Sequence, residues 1–171
     1  EVARLFIKQG WTVGVAARRL DKLADLKNNA LERVFTARID VTDEDAEVAL
    51  FQLIKRMGGL DLYFHSSGIG WKNPTLEAEK EIKTMETNAT GFTRMVGATY
   101  RYFAAKGGGH IVCITCIAGT KGLGSAPAYS ATKAMQNTYL QALEQLAAKK
   151  RHNINFTDIR PGFVDTPLLT D

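Results

Sequence analysis

The chain has 171 residues, 45% of them hydrophobic and 23% charged, an ordinary globular mix that excludes a disordered or fibrous chain. Lys and Arg number 22 against 18 Asp and Glu, and the resulting net charge of +4 is too weak a field to call for a nucleic-acid partner. No apolar run reaches the roughly 18 residues that a transmembrane helix needs, and two cysteines cannot build a disulfide scaffold, so a reducing, cytoplasmic setting is expected.

Strand and helix signals alternate along the chain. Residues 1–9 read as a helix, with Val2, Leu5 and Phe6 on one face and Gly10 as its stop. Residues 12–17 (TVGVAA) read as a short buried strand, 20–28 as helical and 33–39 as strand. Thr42 is expected to open the next helix, with Asp45 three residues on as its capping-box partner. Ala46, Leu50, Leu53, Ile54 and Met57 give that helix an apolar stripe, and Gly58-Gly59 stop it. Residues 60–65 (LDLYFH) are the next strand. A long helical pattern follows, carried by Ile82, Met85, Ala89, Phe92, Val96 and Phe103 and ended by Gly107 to Gly109. A strand at 110–115, a helix at about 128–149 and a strand at 154–159 complete the order.

These strands are apolar runs more than clean alternations, the mark of strands buried on both faces. The expected fold class is therefore α/β, a doubly wound parallel sheet with its strands in one layer between helices, as one domain over 1–171. No strand or phosphate-binding glycine turn precedes the first helix, and no closing element follows RPGFVDTP. The sequence reads as a piece of a longer chain, lacking its first strand with the glycine-rich turn and its C-terminal end.

Cys113 and Cys116 form a C-x-x-C, but within HIVCIT, a run of β-formers. Extended backbone puts their Cα atoms roughly 10 Å apart, beyond the reach of about 7 Å that a disulfide allows. Redox and zinc chemistry are set aside. His65, His110 and His152 have no ligand spacing, so no metal is expected. Lys149, Lys150, Arg151 and His152 close a helix, where cations complement its dipole. Trp71 follows a glycine turn, either lining a substrate mouth or packing its own loop.

Tyr129-Ser-Ala-Thr-Lys133 is the most informative segment. Four residues apart on a helix, Tyr129 and Lys133 share a face. An ammonium beside a phenol favours the phenolate and makes the tyrosine a better proton donor and acceptor near neutral pH. An amphipathic surface pair would show the same spacing, so the neighbours decide. Upstream lie Asp40-Val41, the turn Ser66-Ser67-Gly68-Ile69-Gly70, Asn88 in ETNATGF, and Ile114-Thr115-Cys116-Ile117-Ala118-Gly119. Downstream lies Arg160-Pro-Gly-Phe-Val-Asp-Thr166.

In this order and spacing the set resembles the short-chain dehydrogenase/reductase family of classical type, over essentially the whole chain. The resemblance implies a hydride transfer between a nicotinamide cofactor and a carbonyl or secondary alcohol. In that likeness Tyr129 is the general acid/base, Lys133 lowers its pKa and bonds the nicotinamide ribose, and Asn88 holds a water in the proton relay. Asp40 and Val41 match the pair that contacts the adenine. Ser66, Ser67 and Gly68 stand where the family has Asn-Ala-Gly, and Gly68 keeps the flexible backbone position. With His65 and Ser66 in place of asparagines, amide hydrogen bonds that stabilise the central sheet are lost. Pro161, Gly162, Val164 and Thr166 match a loop over the nicotinamide amide and pyrophosphate. The resemblance also implies a homodimer or homotetramer packed through the helices at about 82–105 and 128–149.

One departure stands out. Cys116 occupies the position of the family's catalytic serine, and a thiol is the weaker hydrogen-bond donor. Cys116 can fill that role at reduced efficiency, Thr115 can shift into it (against strand alternation), or the position marks a weak or inactive nucleotide-binding protein. An extended-type epimerase or dehydratase shares Y-x-x-x-K, but the Asn88 motif and the Pro161-Gly162 loop favour the first type. Cofactor choice is read at the end of the second strand of such folds, where a carboxylate selects NAD. Here Ala17 holds that position and Arg18-Arg19 follow. A guanidinium can grip a 2′-phosphate with two hydrogen bonds, so NADP(H) is expected over NAD(H), with Arg18 the main contact and Arg19 a helper.

Overall fold

Parallel pairing of short β-rich runs, each returned by a helix, builds the chain. The structure, a computed structural model, describes residues 1–23, 26 and 32–162. Its elements in order are α1 (Val2–Lys8), β1 (Val13–Ala17), a 3-10 turn (Asp21–Leu23), β2 (Val34–Arg38), α2 (Ala46–Met57) and β3 (Leu62–His65). There follow α3 (Ala78–Met85), a π-helical turn (Glu86–Gly91), α4 (Phe92–Lys106), β4 (Gly109–Ile114), a 3-10 turn (Ile117–Gly119), α5 (Pro127–Lys150) and β5 (Ile154–Ile159). The expected helix at 20–28 coincides with the 3-10 turn at its start and otherwise lies mostly outside the described residues. Among the described residues, no helix is long and apolar enough to cross a membrane.

The chain divides into two compact units, Glu1–Leu60 and Asp61–Asp171. In the first, β1 and β2 pair in parallel, Val13 opposite Val34 and Ala17 opposite Arg38. In the second, β3, β4 and β5 pair in parallel in that order, with Leu62 opposite His110 and Gly109 opposite Ile154. The single laddered layer expected from the sequence is thus two parallel sheets. The observed orders are β1-β2 in the first unit and β3-β4-β5 in the second.

Within the first unit, α2 presents Ala46, Leu50, Leu53 and Ile54 as its buried stripe, as the spacing predicts. It ends at Gly58, whose φ of 81° is the left-handed cap that glycine adopts without a Cβ clash. The capping box does not form. Asp45 is the N-cap, with no side-chain hydrogen bond. Thr42 belongs instead to a turn in which its amide and hydroxyl both donate to Asp40 Oδ1, at 3.0 and 2.8 Å. An aspartate side chain two residues back outcompetes the helix start for those donors.

In the second unit the core is set by α4. Phe92, Val96, Ala98 and Phe103 are fully buried there, and burying each of the larger side chains contributes about 1.5–3 kcal/mol. The long helix read from 82 to 103 is interrupted by the π turn, which periodicity does not reveal. β5 alternates between inward and exposed residues. That corrects the reading of every strand as buried on both faces, because β5 is an outer strand of its sheet.

The turn Ile117–Gly119 packs directly on α5. A Cβ on Gly119 would stand 2.5 Å from Asn137 Nδ2 and 2.7 Å from the Lys133 carbonyl carbon and oxygen. Backbone cannot give way as a side-chain tip can, so overpacking applies in full. Gly119→Ala is expected to destabilise the protein by about 1–3 kcal/mol, a loss that urea denaturation measures as a lower midpoint.

Candidate functional site

Within each sheet, parallel strands deliver their C-terminal ends to one side, and the side chains singled out by the sequence follow those ends. In the first unit Arg18 and Arg19 follow β1 and are exposed, while Asp40 and Val41 follow β2. Partial burial works to raise the Asp40 carboxyl. The two Thr42 hydrogen bonds and the Arg18 and Arg38 guanidinium groups outweigh it and hold the carboxyl below its usual value.

In the second unit Ser66, Ser67 and Gly68 follow β3, Cys116 follows β4, and Pro161 and Gly162 follow β5. Val164 and Thr166 lie outside the described residues. Gly68 does not use a left-handed conformation. A Cβ there would lie 3.5 Å from Asn88 Oδ1 and 3.7 Å from Lys133 Nζ, in ordinary contact. What the glycine marks is a close approach to those two polar groups.

The π turn places Asn88 at 0% exposure beneath this loop. Such turns are rare and concentrate at functional positions. Asn88 Oδ1 accepts from the Ile69 amide at 2.9 Å, and its Nδ2 donates to the Ile69 carbonyl at 2.7 Å and to Thr132 Oγ1 at 3.2 Å. The asparagine therefore clamps the Ser66–Gly70 loop to α5.

From α5 come Tyr129 and Lys133, both buried. Lys133 Nζ stands 5.6 Å from the Tyr129 ring centroid. It donates to the Ile114 carbonyl at 3.3 Å and to Gln136 Oε1 at 3.0 Å. Burial lowers the Lys133 pKa, and the fields of Cys116, Cys113 and Asp158 oppose that fall. Tyr129 moves the other way. Burial, then the Cys116 side chain, pushes its hydroxyl well above the usual tyrosine range. The expectation that Lys133 draws the phenol down does not describe this arrangement, in which desolvation of the phenolate dominates.

Cys116 packs against Tyr129, and its thiol donates to the Pro161 carbonyl at 3.5 Å. Thr115 faces elsewhere: its hydroxyl donates to Asp158 Oδ1 and to the Ile159 carbonyl on β5. Strand alternation has put the thiol, not the hydroxyl, beside the phenol. Cys113 is fully buried, its thiol pushed up to about 12 chiefly by burial. Both cysteines are free.

Two features escaped the sequence reading. Glu81 on α3 accepts from Asn73 Nδ2 at 2.8 Å and from the Ala128 amide at 3.1 Å, in the first turn of α5 and one residue before Tyr129. Gln136 lies on the buried face of α5 at 0% exposure. Its spacing of three residues from Lys133, which places both on one helix face, was the available signal.

Comparison with known proteins identifies the family. The family model for short chain dehydrogenases matches residues 1–171. An uncharacterized oxidoreductase of Mycobacterium tuberculosis is 30% identical over 177 residues, covering 98% of this chain and 69% of the relative. The solved structure of a 3-ketoacyl-ACP reductase from Sinorhizobium meliloti superposes with a TM-score of 0.85 at 29% identity, over 99% of this chain and 69% of that one. An actinorhodin polyketide ketoreductase solved with NADPH gives 0.85 at 28% identity, over 97% and 66%. The chain belongs to the short-chain dehydrogenase family and is a nicotinamide-dependent oxidoreductase.

His65 carries a consequence for stability. It is 2% exposed, its Nδ1 lies 2.9 Å from the Tyr63 hydroxyl, and its Nε2 meets no partner in hydrogen-bonding geometry. Burial, then the Lys133 charge, lowers its pKa to about 4, with the Ser67 backbone opposing weakly. The unfolded chain, with histidine near its ordinary 6.5, binds the proton first. Stability from this group is therefore full above about pH 6.5 and is lost as pH falls towards about 4. The loss is on the order of 3 kcal/mol, and His65→Gln should flatten that acid limb in pH-dependent denaturation.

Proposed function

We propose that this protein is an NADP(H)-dependent oxidoreductase that interconverts a carbonyl and a secondary alcohol. The observation that carries the reading is the cluster at the β4 end, where Lys133 lies beneath the Tyr129 ring and Cys116 packs against the phenol. The residues present fit a dinucleotide. The Lys133 ammonium beside the Gly68 loop suits a ribose hydroxyl, and the exposed guanidinium groups of Arg18 and Arg19 suit a 2′-phosphate. Asp40, Val41, Ser66, Ser67, Pro161, Gly162, Val164 and Thr166 complete the proposed contacts. When bound, the nicotinamide supplies or accepts the hydride.

The chain's own residues supply the proton and the orientation. Tyr129 gives a proton to the substrate oxygen during reduction and recovers it during oxidation. Lys133 stabilises the phenolate left behind. Asn88 fixes the loop above it. Cys116 takes the serine's position, orienting the carbonyl through a weaker bond. One domain, a cytoplasmic setting and a homodimer or homotetramer complete the reading. Free Cys113 and Cys116 support the second of these. Ile82 and Met85, 57% and 44% exposed on α3, support the third.

A second reading is a weak or inactive nucleotide-binding member of the same fold. The raised phenol and the thiol beside it favour that reading.

Oxidation of NADPH against a panel of ketones and aldehydes separates the two. Tyr129→Phe is expected to abolish turnover. Cys116→Ser is expected to raise it several-fold, since one better hydrogen bond is worth on the order of 1 kcal/mol. Cys116→Ala is expected to lower turnover by less than Tyr129→Phe does. If serine brings no gain and Tyr129→Phe changes nothing, the second reading holds. For the cofactor, titration of Arg18→Asp is expected to weaken NADP(H) far more than NAD(H), and an unchanged preference would remove Arg18 from the phosphate site.

A further inference from the structure

The Gln136 side chain is used at both ends. Its Oε1 accepts from Lys133 Nζ at 3.0 Å, and its Nε2 donates to the backbone carbonyl of Asn88 at 2.7 Å. An amide has one acceptor end and one donor end in fixed geometry. Here the acceptor meets the ammonium and the donor meets a carbonyl within the π turn. A buried glutamine with both ends engaged adds no unsatisfied polar group.

We propose that Gln136 is a positioning residue for the catalytic centre, a rigid amide bridge that holds the Lys133 ammonium at a set distance from the π turn at Asn88. The proposal rests on the roles given above to Tyr129 and Lys133. An ammonium has three donors. One goes to Gln136 and one to the Ile114 carbonyl at the end of β4. These two directions fix the third, which makes the lysine a directed group instead of a swinging one. A leucine or methionine of similar size would fill the space, yet it would leave both the ammonium and the Asn88 carbonyl short of a partner. An amide does not itself change charge, so Gln136 orients the lysine without competing for its proton.

The bridge has a measurable signature because the titratable groups facing Lys133 come from every side. They are Tyr129 on its own helix, His65 on β3, Cys113 on β4, Cys116 beyond it and Asp158 on β5. Substituting Gln136 leaves these five residues unchanged and alters only the amide's two hydrogen bonds, to the Lys133 ammonium and to the Asn88 carbonyl.

The test is an NMR titration of the full-length protein with 13Cε-labelled lysine, the Lys133 signal being assigned by its loss in Lys133→Arg. In Gln136→Met the Lys133 midpoint is expected to fall by about one pH unit or more, the shift produced by losing a hydrogen bond to a charged group. In Gln136→Glu the added carboxylate is expected to move it in the opposite direction. Loss of packing alone cannot produce opposite signs. Should Gln136→Met fail to fold, the rise in Gln136→Glu decides. A Lys133 titration unmoved by either variant, or moved the same way by both, overturns the proposal. Neither substrate nor cofactor enters this measurement. An unmoved Lys133 therefore leaves the oxidoreductase reading intact, whereas wild type inert towards every carbonyl counts against that reading and not against the bridge.

Discussion

One positive charge held out of water organises the second unit. Lys133 is only 4% exposed, and a buried ammonium costs several kcal/mol unless oriented dipoles replace its hydration. The chain supplies those dipoles from different elements: the Ile114 carbonyl from β4, the Gln136 amide from α5, and the Asp158 carboxylate adding its field from β5. Each of these groups constrains the element that carries it. β4 must end at Ile114, the turn at Gly119 must press against the Lys133 backbone, and α5 must present its buried face for more than two turns.

That arrangement also needs the start of α5 to be held. Proline at the first position and Glu81 on the Ala128 amide do this from two sides, one covalently and one through space. Glu81 is itself fixed by Asn73, whose Oδ1 accepts from the Glu77 amide and whose own amide donates to the Ser125 carbonyl. The loops around 73 and 125 are thus tied together ahead of Tyr129. The phenol's position follows from this polar network, with Ala118 and Ala126 packed around it.

Much of this was legible in the sequence because its signals are local. Strand runs at 12–17, 33–39, 60–65, 110–115 and 154–159 each overlap an observed strand to within two residues at either end. The Tyr129–Lys133 pair needed only helical spacing to share a face. What stayed hidden depends on partners distant in sequence or on a local competition. The π turn repeats no composition. Thr42 carried a capping signal that Asp40 redirected. Gln136 contacts a carbonyl 48 positions earlier. The direction of the Tyr129 shift was missed for another reason: sequence shows which charge is near, whereas burial, which dominates here, is a property of the packed site.

The neighbouring residues Thr115 and Cys116 show how little separates two chemistries at this position. Both lie at the end of β4, where extended backbone turns successive side chains to opposite faces. Cys116 itself remains extended, at φ −170° and ψ 152°, so the alternation carries past the last ladder pair. The hydroxyl is consequently spent on Asp158 and the Ile159 carbonyl, where it helps to bind β4 to β5. The thiol is left to face Tyr129. Sulfur solvates a phenolate poorly, and burial already disfavours that charge, so both act to keep the proton on the phenol. In the role proposed for it, a phenol that keeps its proton is ready to donate, and the same physics opposes the reverse step. The Lys133 ammonium then matters after the proton has left, when it is the nearest compensation for the phenolate. That is why its orientation, set by Ile114 and Gln136, counts for more here than where a serine hydroxyl shares the task.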